Sequence, residues 1–307
     1  MKLVDVEYKG QKRVIACALF ETPRGLLLLD PGPAVSLPTV EKRLHERGAS
    51  WQDVDSLLLT HIHLDHAGAT GSIVARNPKI RVFVHEFGAV HLKDPTRLLD
   101  SSRRLYGDAM GELWGEFLAV PPENLHALTG GERLSFDSVA FDVAYTPGHA
   151  KHHVSFFDAA TGIAYVGDTA GIRISPSRVI WPAAPPPDID LQIWPKSAQT
   201  ILAWKPAQIM STHFGVFQHP SEHFDRLFQV IAEWTALVRQ SLAQNGNEIR
   251  GDDERAREFS AEIDARLRRQ TTPEDASGYD GWAMTPFQSW YGLARYLRKQ
   301  GSAGSPP

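Results

Sequence analysis

The segment 60–68, with the sequence THIHLDHAG, is the feature that most constrains how this chain folds. It places three histidines and one aspartate within six residues, directly after the run SLLL at 56–59. A short apolar run of this kind predicts a buried strand over residues 54–60. Imidazole nitrogens and a carboxylate at this density suit Zn²⁺ or a similar divalent transition metal. The chain is therefore expected to fold so that the end of a buried strand holds a metal-binding loop.

Apolar runs and turn residues predict the remaining elements. Further strands are expected at 14–20, 25–29, 80–85, 133–136, 139–145, 154–157, 163–166 and 208–212. Helices are expected at 38–47, 189–204, 221–245 and 251–270, with a last helix that has Thr285 as its N-cap and Pro286 as its first residue. The pattern predicts a catalytic domain over 1–220 with a helical insertion at about 86–129, a helical extension over 221–300 and a disordered tail at 301–307.

Composition narrows the class of protein. The 307 residues are enough for one large domain and an extension, and 42% of them are hydrophobic. The 32 basic and 36 acidic residues give a formal net charge of −4, which argues against a broad nucleic-acid surface. Cys17 is the only cysteine, so no internal disulfide forms, and no apolar run is long enough for a signal sequence or a membrane span. We expect a cytoplasmic protein that acts on a small molecule, with no nucleic-acid or membrane partner.

Three more metal-binding side chains follow other predicted strands: His149, Asp168 and His213. If they meet the histidine loop, the site holds two metals, and two metals about 3.5–4 Å apart can share a hydroxide. Asp168 has two carboxylate oxygens and can bridge them. His219 and His223 lie close to His213 in the sequence, but His213 follows its strand directly and is the preferred ligand.

The H-x-H-x-D-H loop, followed by histidine, aspartate and histidine in that order, resembles the metallo-β-lactamase fold superfamily over about residues 30–215. The resemblance implies an α/β (α+β) fold, a four-layer αβ/βα sandwich with the site at one rim of two facing sheets. It implies one metal on His61, His63 and His149, a second on Asp65, His66 and His213, and a bridge through Asp168. It also matches Asp30 to an early strand-end aspartate that supports the histidine loop without binding metal.

The sequence departs from several branches of this superfamily. Thiol-dependent β-lactamases usually carry cysteine in the place of Asp168, and the diiron oxygen-reducing branch usually carries glutamate in the place of His63. Glyoxalase II-like enzymes share the ligand set and a helical C-terminal region, but two glycines usually follow their loop, where this chain has Ala67-Gly68. RNase Z-like enzymes share most ligands, but the acidic balance and the lack of an evident RNA-binding arm disfavour that branch. The segments 148–153, 167–173 and 185–187 resemble a group of stand-alone bacterial and archaeal members.

The resemblance implies a dinuclear metal-dependent hydrolase, in which a metal-bound hydroxide attacks the carbonyl of an ester, lactone or thioester. Zn²⁺ is the expected metal, with iron or manganese as alternatives, and Asp65 is expected to orient the hydroxide or accept its proton. The other functions left open are a phosphodiesterase or nuclease, a diiron redox protein and a non-catalytic metal-binding scaffold.

Two residues are predicted to bind substrate. Arg173 is expected to contact an anionic group. One of the neighbours His152 and His153 is expected to point into the cleft, and His153 is the one chosen for a role in substrate binding or in support of the ligands. The apolar stripe of Leu113, Trp114 and Phe117 is expected to pack in the core, with a lid over the substrate as the alternative. Whether the C-terminal helices cover the site or form a homodimer stays open.

Overall fold

The computed structural model describes residues 1–174, 177–245, 249–273, 276, 279 and 286–303. Within these residues, two six-stranded sheets form the centre of the molecule. The strands of the first sheet are β1 (Lys2–Asp5), β2 (Ala16–Thr22), β3 (Gly25–Leu29), β4 (Val54–Leu58), β5 (Arg81–His85) and β6 (Leu125–Leu128). The strands of the second are β7 (Arg133–Ser135), β8 (Ala140–Tyr145), β9 (Val154–Asp158), β10 (Ile163–Tyr165), β11 (Gln208–Ser211) and β12 (Gly215–Gln218).

Strand order in both sheets follows chain order, and the parallel pairs decide where the site lies. In the first sheet β3, β4, β5 and β6 are parallel, so the residues after β3 and β4 emerge at one edge. In the second sheet β10 and β11 are the parallel pair, and Asp168 and His213 follow them. The amide of Val154 donates to the Thr60 carbonyl oxygen at 2.8 Å, which joins the two sheets beside the histidine loop. Polar residues that follow different strands therefore meet at one rim.

Alternating side chains explain the sandwich. Ala18, Leu27 and Leu58 point into a core between the sheets, together with Phe141 and Phe156 from the second sheet. Their neighbours along β2, β3 and β4 belong instead to a larger core against the helices. Strands that are apolar on both faces need cover on both faces. The predicted αβ/βα sandwich is confirmed.

Ten α-helices occur in the described ranges. They are α1 (Leu37–His45), α2 (Leu64–Ala67), α3 (Thr70–Arg76), α4 (Glu86–Lys93), α5 (Thr96–Tyr106), α6 (Met110–Trp114), α7 (Trp194–Ala203), α8 (Pro220–Asn245), α9 (Asp252–Gln270) and α10 (Pro286–Ala303). None of the helices in the described part of the chain is long and apolar enough to cross a membrane.

The C-terminal helices pack on one another and on the loop before α7. Asp252, buried on α9, accepts hydrogen bonds from Arg255 at 2.8 Å and from Arg298 of α10 at 2.7 Å. Ser289 of α10 donates to the carbonyl oxygen of Pro182 at 3.1 Å. The extension is therefore held to the catalytic part through the proline-rich segment that borders the site.

Several predicted elements need correction. The insertion 86–129 is α-helical only to Trp114. A short 3₁₀ helix follows at Pro122–Asn124, and Leu125–Leu128 then pairs in parallel with β5 and completes the first sheet. The strands β1 and β12 were not predicted, since they are four-residue strands at sheet edges with little periodicity of their own. Helix α10 begins at Pro286, as predicted, and continues to Ala303, three residues into the tail predicted to be disordered. Thr285 and residues 304–307 lie outside the described residues.

Candidate metal centre

Seven side chains from loops at strand ends converge in two groups. Within each group, one potential ligand atom per residue lies within 4.8 Å of the others. The first group is His61, His63 and His149, and the second is Asp65, His66, Asp168 and His213. The loop after β4 supplies two members of each group because the short helix α2 begins at Leu64 and turns the next two side chains away from the first group. The structure brings together the side chains predicted for each metal, and it places Asp168 with the second group.

The nitrogens of the first group point at one another. His149 Nε2 lies 3.2 Å from His61 Nε2 and 2.8 Å from His63 Nδ1. His61 and His149 are fully buried, and His63 is partly exposed. Three nitrogens that converge in this way, with one open side, form a suitable set of donors for a divalent transition metal.

The second group has the same character. His213 Nε2 lies 3.2 Å from His66 Nε2 and 3.2 Å from Asp65 Oδ2. Asp168 lies between the two groups: its Oδ1 is 3.2 Å from His66 Nε2, and its Oδ2 is 3.7 Å from His149 Nε2. Each oxygen of this carboxylate therefore faces a different group.

Unpartnered oxygens test whether metal ions fit. Asp65 Oδ2 and both oxygens of Asp168 are buried without a hydrogen-bond partner among the described residues. A buried carboxylate without a donor is costly, so these oxygens require cations. The residues present fit divalent cations, and Asp168 would be able to contact a cation in either group.

Hydrogen bonds on the far side of each ring orient the imidazoles. His149 Nδ1 donates to the Ala183 carbonyl oxygen at 2.6 Å, and His213 Nδ1 donates to the Val14 carbonyl oxygen at 3.1 Å. A carbonyl oxygen can only accept, so the proton of each neutral ring is on Nδ1 and the Nε2 lone pair faces the cluster. These two rings are held in the tautomer that a metal ligand needs.

Asp30 orients the histidine loop through hydrogen bonds. Its Oδ2 accepts from His66 Nδ1 at 2.9 Å, from the Thr60 hydroxyl at 2.7 Å and from the Thr212 hydroxyl at 2.8 Å, while Oδ1 accepts from the Thr60 amide at 2.8 Å. Asp30 has a φ of +51°, a left-handed conformation that aspartate tolerates better than most residues. One buried carboxylate thus joins the end of β3, the histidine loop and the loop after β11.

Comparison with known proteins identifies the family of this chain. The sequence profile of the metallo-beta-lactamase superfamily matches residues 11–206, more than half of the chain. The chain belongs to the metallo-beta-lactamase superfamily. The resemblance inferred from the loop and the strand-end residues is confirmed.

Individual relatives are distant. The metallo-beta-lactamase fold-containing protein ST1585 of Sulfurisphaera tokodaii is 26% identical over 199 residues, which are 64% of this chain and 74% of the relative. A hydroxyacylglutathione hydrolase of Thermosynechococcus vestitus is 28% identical over 137 residues, or 45% of this chain and 41% of that enzyme. The crystal structure of the metallo-beta-lactamase family protein TTHA1429 from Thermus thermophilus aligns with a TM-score of 0.64 at 23% identity, over 94% of this chain and 89% of that one. These relatives support the fold and leave the substrate open.

The pKa values of the histidines decide which rings of this site are neutral and can bind a metal ion without first losing a proton. Burial, together with the neighbouring His149, lowers the pKa of His63 to about 3. Burial likewise lowers the pKa of His61. Burial also opposes protonation of His66, but the carboxylates of Asp168 and Asp65 outweigh it and raise its pKa. Metal ions compete with a proton mainly at His66.

The structure corrects the substrate role predicted for His153. This ring is fully buried behind the cluster, 5.1 Å from the His61 ring, and its Nδ1 lies 3.0 Å from the Thr146 hydroxyl and 3.2 Å from the Thr169 hydroxyl. His153 directly precedes β9 and points inward, whereas His152 points the other way and lines the cavity beside the site. The choice between the two neighbours was wrong because it depended on where the strand begins.

Arg173 is the second correction. Its guanidinium lies over the Phe217 ring at 4.4 Å, and its Nε donates to the Ser177 carbonyl oxygen at 2.8 Å. Gly171, with a φ of +65°, turns the chain after Asp168, and the next residue pairs with Trp181. Arg173 is not among the residues that line the cavity and instead holds this turn against β12.

A cavity of about 140 Å³ lies beside His63 and Asp65 and is called the inner cavity below. Part of its wall comes from the insertion, with Leu98, Tyr106 and Trp114. The rest of the lining is Ile62, Leu64, His91, Arg97, Ser101, Ser102, Leu105, His152 and the loop 185–188. Trp114 stacks on Tyr8 at 5.7 Å in the core, as the first of its predicted alternatives requires, and it also lines the inner cavity.

Proposed function

We propose that this protein is a metal-dependent hydrolase that uses two Zn²⁺ ions to cleave an ester, lactone or thioester of a small molecule. The observation that carries this proposal is the position of Asp65. Its unpartnered oxygen belongs to the cluster, and the same residue lines the inner cavity. A substrate in that cavity would touch both the metal-binding group and a carboxylate able to take up a proton.

Membership of the superfamily supports hydrolysis at the level of reaction class. The name of one relative, hydroxyacylglutathione hydrolase, gives that relative an acyl substrate. Because the chain spans only 41% of that enzyme, its substrate is not carried over. Nitrogen-rich donors and two carboxylates are a common ligand set for zinc, which is our reason to prefer that metal.

The residues of this chain have distinct tasks in the proposed reaction. His61, His63 and His149 would hold one ion, Asp65, His66 and His213 would hold the other, and Asp168 would be shared. Two bound Zn²⁺ ions would supply a nucleophile near neutral pH and polarise the substrate carbonyl. Asp65 would orient that nucleophile and accept a proton from it, since its Oδ2 has no donor from the described residues.

The inner cavity would exclude water from the reacting carbonyl. Ile62, Leu98 and Trp114 give it an apolar wall, and the electrostatic effects of the site are stronger where water is displaced. The cavity is small, so the group next to the carbonyl must also be small or narrow.

The test is metal analysis of purified protein followed by a screen of the zinc-loaded enzyme against esters, lactones, thioesters and phosphodiesters. We expect two zinc ions per chain and hydrolysis of at least one acyl class. The His63→Ala variant should lose activity by about 100-fold or more, while the exposed His45→Ala variant should not.

Three results would contradict the proposal. Hydrolysis of phosphodiesters alone would indicate the nuclease-type alternative. Two tightly bound irons with oxygen uptake would indicate a redox protein. Acyl hydrolysis that survives His63→Ala unchanged would show that the cluster is not the catalytic centre.

A further inference from the structure

The inner cavity opens outward into a larger one, of about 850 Å³, called the outer cavity here. The two share His91, Arg97, Ser101, Leu105, His152 and residues 186–188 of the proline-rich loop. The outer cavity adds Phe287, Tyr291 and Arg295 from α10 and Phe87 from α4. A substrate that leaves the inner cavity therefore passes between the insertion and the C-terminal extension.

Charge in the outer cavity is opposite to that of the whole protein. The chain has a formal net charge of −4. Four basic side chains, however, line this cavity against two acidic ones: Arg97, Arg104, Lys151 and Arg295 against Asp188 and Asp253. The insertion supplies two of the arginines and α10 the third, so segments far apart in sequence build one basic surface.

The acidic residues do not neutralise these arginines. Asp188 lies 3.5 Å from Lys151. Asp253 accepts a hydrogen bond from the Tyr291 hydroxyl and lies 3.9 Å from Arg257. Asp188 thus faces the lysine of this cavity, and neither carboxylate is paired with one of its three arginines.

The arginines themselves are available. Arg97 and Arg295 have no ion pair and no hydrogen bond with any residue of the described ranges, and Arg104 Nε contacts only the Asp100 carbonyl oxygen, at 3.2 Å. Three guanidinium groups without a carboxylate partner, at the mouth of a catalytic cavity, favour a ligand with negative charge. The planar guanidinium can bind a carboxylate or a phosphate through two parallel hydrogen bonds.

We propose that the substrate carries a carboxylate or phosphate group, which binds to Arg97, Arg104 and Arg295 in the outer cavity while the scissile carbonyl lies beside His63 and Asp65. This inference rests on the proposed hydrolase function and adds a substrate class to it: short acyl compounds with an anionic end. The apolar wall of the inner cavity takes the segment between the two ends.

The first experiment compares matched neutral and anionic substrates of the zinc-loaded enzyme at low ionic strength. One pair, 4-nitrophenyl pentanoate and 4-nitrophenyl hydrogen glutarate, varies the acyl arm. A second pair, the S-acetyl thioesters of N-acetylcysteamine and of 3-mercaptopropionate, varies the leaving arm. In at least one pair we expect kcat/KM to be about tenfold higher for the anion, and about 0.15 M salt should reduce this preference by screening.

Variants assign the preference to the arginines. The double variant Arg97→Gln/Arg295→Gln should bring the ratio of anionic to neutral kcat/KM close to one. The matched control is Arg103→Gln, on the same helix as Arg97, because Arg103 is paired with Asp100 at 3.2 Å and lines neither cavity. This control should keep the full preference.

A binding measurement gives a readout that does not need turnover. Calorimetry would compare 4-phenylbutyrate and 3-phenylpropylphosphonate with the neutral 4-phenylbutyramide, which separates carboxylate from phosphate-type ligands. We expect at least one anion to bind about tenfold more tightly than the amide, and the double variant to lose that difference. If the difference persists in the double variant, the anion binds elsewhere, for instance to the metals, and the inference is wrong.

The two proposals fail in different ways. Hydrolysis of the neutral substrates without any anion preference, in turnover or binding, would overturn the anionic substrate class and leave the hydrolase intact. Binding of anions through Arg97 and Arg295 without cleavage of any ester or thioester would overturn the hydrolase and leave the anion site intact.

Discussion

Asp30→Asn is the substitution that best tests how the site is oriented. The backbone N–H of Thr60 can only donate a hydrogen bond. The oxygen of the asparagine side chain must therefore take the position of Oδ1, and its NH₂ group must take the position of Oδ2. The hydroxyls of Thr60 and Thr212 can turn and accept from that NH₂ group. His66 Nδ1–H cannot, because it now faces another donor.

The expected magnitude follows from this single mismatch. His66 loses a hydrogen bond to a charged acceptor, worth about 1.5–3 kcal/mol. The ring can recover a bond only by moving its proton to Nε2, which removes the lone pair that faces Asp168 and His213. Loss of such an outer partner typically weakens metal binding about 10–100-fold, or about 1.4–2.8 kcal/mol. Only one of the two metal equivalents should be affected, since His66 belongs to one group.

The assay is a competition titration of the metal-free protein against a chromophoric zinc chelator, with circular dichroism to verify folding. The control is Asp53→Asn, because this carboxylate is exposed at the surface and accepts only from Ser50 among the described residues, at the opposite end of β4 from the histidine loop. If folded Asp30→Asn binds both equivalents as tightly as the unchanged protein, the argument that Asp30 sets the tautomer of His66 is refuted.

Three further predictions concern protons, packing and the extension. Because the carboxylates around His66 raise its pKa despite burial, the metal-free ring keeps its proton near neutral pH, and zinc binding should release protons and become tighter as the pH rises. Calorimetry in buffers of different ionisation enthalpy measures the protons released, and a value of zero would contradict this prediction. Gly71→Ala should lower the free energy of unfolding by about 1–3 kcal/mol, because a Cβ there would overlap the Leu118 carbonyl oxygen, whereas the control Gly111→Ala has open space around its Cβ and should not destabilise the protein. Equal denaturation midpoints for the two variants would show that the backbone near Leu118 moves to make room at little cost. Asp252→Asn removes the buried carboxylate that Arg255 and Arg298 share, and it should lower the free energy of unfolding by about 3–5 kcal/mol. An unchanged thermal midpoint would show that these ion pairs do not stabilise the packing of the extension.

Much of the architecture was predictable because its signals are local. The strands β3, β4 and β9 are short segments rich in apolar residues, and each ends in a change of residue type that marks its boundary. The strand β6 was missed because residues 125–128 have weak periodicity, and only pairing with β5 makes them a strand.

The candidate ligands were visible for the same reason. Histidine and aspartate directly after a buried strand are rare without a task, and parallel strand ends meet at one rim of a sheet. His61, Asp168 and His213 are of this kind, and their order in the chain pointed to the superfamily that the sequence profile confirms.

The surroundings of the ligands were decided by the tertiary structure alone. Which of His152 and His153 faces the cavity depends on the residue at which β9 begins. Arg173 contacts Phe217 because a turn at Gly171 directs it there, and the basic outer cavity joins Arg97 to Arg295 across almost two hundred residues. The sequence by itself determined the candidate ligands and the strands that carry them, since residue type and strand periodicity are local. Tertiary packing decided the outer cavity and its charge. Both depend on which side chains from distant parts of the sequence meet there and remain without a partner.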